Sequence, residues 1–379
     1  QIGNKVWIKT NKMNLTRRKF IKLLGTTSLA AIAGNTVFSK SNNSNLTKVR
    51  VAYPPTMAAL PLAKGAQEEF FLKEDTVKPF LDQNIELTLI PAKGSSDAAG
   101  LVSGERADCS ITGLSSSMYA IQGPGNLKIS STAFDPNDFG RHLGLVSSNL
   151  YHDIPSLSDL VENWLDGSAG RSIILSLRRD DHFSTDQLLK KEGYQGNDNI
   201  YYADQEDIIS RLYGLLNDTF VSTVLPEPLL TLALKNPEFH RFQVSLISDY
   251  PDVTLPPLVF VFNQKVLNKN PGLVKRFYRG WDTALEKTNA SSNLELINLT
   301  TKIISETLPS LRNAIKNTQI NEEFASLFDI PNFSGPKPLN EEIFNDVLDW
   351  AISKGYLKEK ISFKRAYDGS SAIFAEESR

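Results

Sequence analysis

Cysteine is nearly absent. Cys109 stands alone in 379 residues, so no disulfide can form within the chain and a disulfide scaffold is excluded. Histidine is also scarce: His142, His152, His182 and His240 are scattered, with no pair at metal-ligand spacing, so no metal site and no cofactor are expected. A Gly-x-x-x-x-Gly-Lys phosphate loop and a Gly-x-Ser-x-Gly elbow are both missing. The acidic pairs Glu68-Glu69, Asp180-Asp181, Glu322-Glu323 and Glu341-Glu342 read as solvated helix starts rather than catalytic dyads. Nothing is left on which to build an enzymatic mechanism, and the expectation is a protein that is not an enzyme. Cys109 lies in Ala-Asp-Cys-Ser-Ile, where it reads as a small buried strand residue.

Acidic residues are missing from one region. Residues 1–40 hold eight lysines and arginines and no aspartate or glutamate, which leaves 33 basic against 43 acidic side chains in the rest. A body that carries −10 lacks the basic face that nucleic acid requires, so nucleic-acid binding is excluded.

Long apolar runs are missing too. The stretch from Leu23 to Gly34 is too short to span a bilayer, yet it follows the basic head Thr16-Arg17-Arg18-Lys19-Phe20-Ile21-Lys22. A basic head before a short apolar segment reads as a signal peptide. Paired arginines with Phe20 and Lys22 in register resemble the twin-arginine export motif, which implies passage of a folded chain through the twin-arginine translocase. The expected leader is 13–40, with 1–12 a non-native upstream extension and Met13 the initiator. The site of cleavage stays open, and an uncleaved anchor remains an alternative. The Asn/Ser/Lys stretch 40–47 reads as a linker.

The body alternates strands and helices. Val49–Tyr53, Ile85–Pro91 and Ala107–Thr112 read as strands, with helices over Met57–Leu72, from Ser95 through Leu101, and from Gly113. The pattern repeats with strands at Leu143–Val146, Ser172–Ser176 and Thr219–Val224 and a helix over Phe183–Glu192. An apolar strand returns at Leu258–Phe262. Helices are then expected over Pro271–Lys287, Leu294–Glu306, Asn321–Phe328 and Asn340–Lys354. The fold class is α/β, with two units that each hold a mostly parallel sheet flanked by helices. Phe260 and Phe262 alternate with valines and read as core.

Several segments, taken in order, resemble one family. They are Val49-Arg-Val-Ala-Tyr, Glu69-Phe-Phe-Leu-Lys-Glu, Ala99-Gly-Leu-Val-Ser-Gly-Glu-Arg-Ala-Asp108-Cys-Ser, Ser156-Leu-Ser-Asp-Leu, Val224-Leu-Pro-Glu-Pro-Leu, Asn263-Gln-Lys-Val-Leu-Asn-Lys-Asn-Pro-Gly-Leu-Val, and the stretch from Trp350 to Tyr367. The family is that of the solute-binding proteins of ATP-driven importers for nitrate, sulfonates, taurine and thiamine precursors. The resemblance implies the two-lobed (type II) periplasmic-binding-protein fold, with the C-terminal helices on lobe one. Carried over, lobe one is 48–141 with 257–379, and lobe two is 142–256. It also implies a monomer in the periplasm that delivers a small solute to an ABC permease. Two alternatives stay open: a periplasmic sensor or partner-binding protein on the same fold, and an enzyme like the thiamine-pyrimidine synthase, whose cysteine-rich iron motif has no counterpart here.

In open α/β sheets ligands bind outside the carboxyl ends of strands. That rule selects Tyr53, Pro55, Thr56 and Met57; Gly94, Ser95 and Ser96; Gly113, Ser115 and Ser116; Ser176, Arg178, Arg179 and His182; and Glu227. The serine loops either cap helices or present helix N-termini to an anion. Arg178 and Arg179 either grip an acidic solute or balance Asp180 and Asp181. His182 donates to a ligand or is structural, Tyr53 offers a stacking face, and Glu227 contacts a polar ligand or bridges the lobes. The tilt is towards an anionic organic solute of the sulfonate, taurine, nitrate or carboxylate class.

Overall fold

The computed structural model describes residues 46–372 except 55, 71–77, 124, 135–142, 148–155, 166, 168–170, 195–199, 217, 236–241, 247–252, 254, 308–320, 327, 329 and 371. The expected leader and Pro55 lie outside the described residues.

The chain builds two five-stranded sheets of the same design. The first contains β1 (Thr47–Tyr53), β2 (Ile85–Pro91), β3 (Cys109–Gly113), β4 (Leu127–Thr132) and the late strand β10 (Leu258–Asn263), in the order β2-β1-β3-β10-β4. The second contains β5 (Leu143–Ser147), β6 (Ile173–Leu175), β7 (Tyr202–Asp204), β8 (Ser222–Pro226) and β9 (Phe242–Leu246), in the order β7-β6-β8-β5-β9. In each sheet the strand reached by crossing from the other, β10 or β5, runs antiparallel to both its neighbours. β1, β2 and β3 pair in parallel, as do β6, β7 and β8. Each crossing therefore places its strand fourth of five in the new sheet, antiparallel between two neighbours.

Helices α1 (Leu60–Phe70), α2 (Ser95–Ser103) and α3 (Leu114–Gln122) link the strands of the first sheet. Pro61 sits in the first turn of α1, where its missing N–H breaks no helical bond. In the second lobe α4 (Asp180–Lys191) follows β6, α5 (Ile208–Leu216) follows β7 and α6 (Leu229–Lys235) follows β8. The C-terminal part adds α7 (Gln264–Lys269), α8 (Pro271–Asn289), α9 (Asn293–Thr307) and α10 (Glu341–Ser353). Asn270 caps α8, its side chain accepting from Leu273 N–H at 3.0 Å, with Pro271 directly behind it. Asn340 caps α10 by accepting from Glu342 N–H at 2.7 Å.

Four apolar clusters fill the two faces of the two sheets. One joins α1, α8 and α9 to the first sheet through Phe260, Phe262, Phe277, Tyr278 and Trp281. The opposite face packs α2, α3 and α10 through Leu101, Leu114, Met118, Phe344 and Val347. The C-terminal helices thus cover the first sheet. Cys109 is fully buried in this lobe, as expected of a small strand residue, and burial pushes its thiol well up. Asp108, at the foot of β3, holds Arg50 of β1 with both carboxylate oxygens, at 2.8 Å to Nη2 and 3.2 Å to Nε.

Three strands had no counterpart in the sequence reading: β4, β7 and β9. In β4 the reason is visible. Leu-Lys-Ile-Ser-Ser-Thr lacks an apolar alternation, yet Ser130 and Ser131 are fully buried because both hydroxyls bond the Tyr278 hydroxyl, at 2.7 Å for Ser131. The helix expected over Asn321–Phe328 reduces to one turn, Glu322–Ala325.

Candidate functional site

The carboxyl ends of β1, β2 and β3 in one lobe and of β6, β7 and β8 in the other converge on a cavity of about 190 Å³. Thr56, Lys93, Gly94, Ser95, Ser96 and Ser116 line it from the first lobe, and Ser176, Arg179, Asp180, Asp181, Glu206 and Arg211 from the second. Leu143, Phe134 and Pro256–Leu258, beside the two crossings, supply apolar wall. Of the sequence candidates, Thr56, Gly94, Ser95, Ser96, Ser116, Ser176 and Arg179 are therefore brought together on one wall.

The remaining candidates stand elsewhere. Tyr53 and Met57 are 3% and 1% exposed and belong to the first apolar cluster. Gly113 and Ser115 lie at the start of α3, against Asp180. Arg178 takes a left-handed φ of 68° and lays its guanidinium over Tyr356, 5.3 Å from the ring centre. Its N–H donates to His182 Nδ1 at 3.1 Å. His182, 1% exposed, packs between Tyr202, Trp350 and Tyr356, and burial lowers its pKa so that the neutral ring is favoured. Glu227 is buried and turned onto its own helix, accepting from Thr231 N–H at 3.1 Å and from the Thr231 hydroxyl at 2.7 Å.

Asp180 and Asp181 are not the solvated helix start that the sequence suggested. Asp180 Oδ1 accepts from Ser115 N–H of the other lobe at 2.9 Å, and burial pushes its carboxyl up to about 6 despite that bond. Asp181 Oδ2 accepts from Arg211 Nη1 at 2.7 Å and from Ser176 N–H at 2.9 Å. The reason is that the loop after β6 turns inward, which aims the first turn of α4 at the lobe interface.

Arg211, Glu206 and Lys93 of this wall were also absent from the sequence candidates. Arg211 is 1% exposed, and every direction of its fork is used: Nε donates to Gln205 O at 2.5 Å, Nη1 to Val224 O at 3.0 Å as well as to Asp181, and Nη2 to the Ser176 hydroxyl. Its signal was an arginine on the apolar stripe Ile208-Arg211-Leu212-Leu215, at i, i+3, i+4 and i+7. Glu206 follows the three-residue strand β7, which carried no periodicity. Its Oε1 lies 3.0 Å from where a Cβ on Gly94 would be, at the N-terminus of α2. Lys93 directly precedes the candidates Gly94, Ser95 and Ser96.

Four oxygens on the wall are buried and have no hydrogen-bond partner among the described residues: Thr56 Oγ1, Ser96 Oγ, Ser116 Oγ and Glu206 Oε1. Buried polar atoms are ordinarily satisfied, and four of the twelve exceptions among the described residues face this one cavity, which suits it to a polar guest. Among the described residues no group of three His, Cys, Asp or Glu side chains fits a metal ion, and no helix is long and apolar enough to cross a membrane.

Helix α4 also fastens the lobes away from the cavity. Phe183 is fully buried in the apolar cluster of the first lobe, its ring 5.4 Å from Trp350 and nearly perpendicular to it. Asp186 accepts from Trp350 Nε1 at 2.8 Å, from Lys354 Nζ at 2.9 Å and from the Tyr202 hydroxyl at 2.7 Å. Arg179 stacks on Tyr119 of α3 at 4.9 Å.

No protein-family model matches the sequence, and no curated protein does. Solved structures do match the fold. The alkanesulfonate-binding protein SsuA of Xanthomonas axonopodis pv. citri, bound to MOPS, superposes with a TM-score of 0.60 at 12% identity, over 84% of this chain and 97% of that one. The periplasmic aliphatic sulphonate-binding protein SsuA of Escherichia coli gives 0.60 at 11% identity, over 84% and 96%. The periplasmic nitrate-binding protein NrtA of Synechocystis gives 0.58 at 10% identity, over 85% and 84%. Two sheets of one strand order, each holding one antiparallel strand reached from the other, and these superpositions agree: the chain has the two-lobed periplasmic-binding-protein fold.

Proposed function

We propose that this chain is the extracytoplasmic solute-binding receptor of an ABC importer, in the sulfonate, nitrate and taurine group. Its lobes, 48–141 with 257–379 and 142–256, close on a small anionic organic solute. The observation that carries the reading is the set of buried, unpartnered oxygens of Thr56, Ser96, Ser116 and Glu206, drawn from both lobes around one cavity. A ligand shifts closure only by binding the closed state better, and groups supplied by both lobes provide that difference. The solute's acidic group faces Lys93, Arg179 and the hydroxyls of Ser96 and Ser116. Glu206 Oε1 accepts from an amino or hydroxyl group of the same solute, as taurine offers. Arg211 is already committed within the second lobe and holds the wall rather than the solute.

The reading includes export through the twin-arginine signal 13–40, a periplasmic monomer, docking on a permease, and neither cofactor nor catalysis. The test is thermal unfolding of residues 41–379 against sulfonates, taurine, nitrate, bicarbonate, carboxylates, amino acids and thiamine precursors. A solute at about 100 times its Kd stabilises the native state by about 2.7 kcal/mol. One hit that is lost in Ser116→Ala and Arg179→Ala is expected. A flat response from a folded protein overturns the receptor reading.

A further inference from the structure

The N-terminus of α3 points at the lobe interface, and the chain itself supplies what meets it. Asp180, on the second lobe, places Oδ1 on the N–H of Ser115 at 2.9 Å. Its Oδ2 lies 2.1 Å from where a Cβ on Gly113 would stand. Gly113 has φ −70° and ψ 150°, which any residue adopts, so glycine here serves space rather than backbone freedom. Next in α3, Ser116 is 2% exposed, its hydroxyl is without a partner among the described residues, and it lines the same cavity. The first turn of a nine-residue helix, with amide N–H groups directed outward, favours a negative charge and so offsets part of what burial costs the Asp180 carboxylate. The carboxylate is delivered to it across the interface, not from its own lobe.

We propose that Asp180 is a built-in anion that occupies the α3 N-terminus in place of a second acidic group of a solute, so that the cavity admits monoanions and refuses dianions. The placement of this seat within a solute cleft rests on the receptor reading above; the seat itself does not. Lys93 and Arg179 are then the positive groups left for the solute, while Asp181 is held by Arg211.

Chemical rescue tests the seat without knowing the solute. Asp180→Ala keeps α4 intact, since Asp181 still supplies an acidic first turn, but it leaves the seat without its carboxylate. Melting temperatures of the wild type and of the Ala variant are compared in sodium formate and in sodium chloride of equal ionic strength. The expected result is a rise of several degrees in formate for Asp180→Ala and none for the wild type. Asp180→Asn fills the same volume and is expected to ignore formate. Gly113→Ala puts a methyl group on the seat, and it is expected to lose stability that formate does not restore. A folded Asp180→Ala that ignores formate overturns the proposal. So does an Asn variant that responds as strongly as the Ala variant, because the anion then binds elsewhere. If Asp180→Ala does not fold, Gly113→Ala decides: an unchanged melting temperature means that no carboxylate needs the space. A flat solute panel would remove the receptor reading and leave this rescue standing, whereas failed rescue would remove the seat and leave the panel standing.

Discussion

Phe183 offers the sharpest check on how the two lobes are joined. It sits on α4, whose other face, through Leu188 and Leu189, belongs to the core of the second lobe. Phe183 itself is 0% exposed inside the core of the first lobe, beside Leu114, Met118 and Trp350. Replacement by alanine removes the transfer energy of the ring and leaves a cavity that two packed lobes cannot easily close. For such Phe→Ala changes the cost is about 3–5 kcal/mol. An exposed aromatic lost from a hinged surface would cost well under ~1 kcal/mol.

The assay is urea unfolding followed by tryptophan fluorescence. Trp350 touches Phe183, whereas Trp281 is buried in the opposite cluster of the first lobe. Phe183→Ala is expected to lower the unfolding free energy by about 3–5 kcal/mol and to shift the native emission to the red, because Trp350 gains water. A loss of less than ~1 kcal/mol with unchanged emission would refute the reasoning, since the ring would then not be plugged into the first lobe.

Further outcomes follow from individual groups. Arg211→Ala strands the carboxylate of Asp181 and should cost about 3–5 kcal/mol, whereas Arg211→Met, paired with Asp181→Leu, should recover much of it in the same unfolding assay. Asp180 titrates at about 6 in the fold against an ordinary 3.8 because of burial, so the folded chain holds this proton more tightly than the unfolded one. Its stabilising contribution is then full below about pH 4 and lost as pH rises through about 6, a factor on the order of a hundred in the folding equilibrium. The groups around it are Asp181, Arg179, Glu206, Lys93 and Tyr119, so the comparison is between wild type and Asp180→Asn. The variant should lack that part of the slope in urea midpoints taken from pH 4.5 to 7, and equal slopes would contradict the burial argument. Cys109, buried and with its thiol pushed up, should resist a thiol-specific reagent until the chain unfolds; fast native labelling would contradict its place in β3.

The strand and helix pattern was readable where burial is apolar and periodic. Ile85–Pro91 was recovered to the residue, and the helices expected over Pro271–Lys287 and Asn340–Lys354 stand at Pro271–Asn289 and Glu341–Ser353. It was unreadable where polar groups are buried in pairs, as with Ser130 and Ser131 against Tyr278, or where a strand is only three residues long, as at Tyr202–Asp204. The cavity followed the same division. Strand ends gave the serine loops, because their position follows from topology alone. The charges did not follow: Arg178 and Arg179 are neighbours in sequence but stack on different aromatic rings, and Arg178 leaves the wall altogether. A left-handed residue between strand and helix decides which way each guanidinium points, and no residue type in that loop announces it.

On the receptor reading proposed above, the division of labour along α4 also bears on closure. Phe183 and Asp186 bind the first lobe through contacts made wholly of protein groups. Thr56, Ser96, Ser116 and Glu206 have no protein partner among the described residues, so their satisfaction depends on what enters the cavity. Left dry, each unpaired buried group costs about 1–3 kcal/mol, a cost that works against the apolar dock of Phe183. A small solute that satisfies two or three of those oxygens then needs only a few kcal/mol of differential contact to move the population decisively, since about 5.5 kcal/mol shifts an equilibrium from 1:99 to 99:1. On this argument Phe183→Ala weakens solute binding without touching the cavity, and Ser116→Ala changes it while leaving the dock intact. Equal effects of the two on affinity and on ligand-free stability would show that dock and cavity are not separate terms.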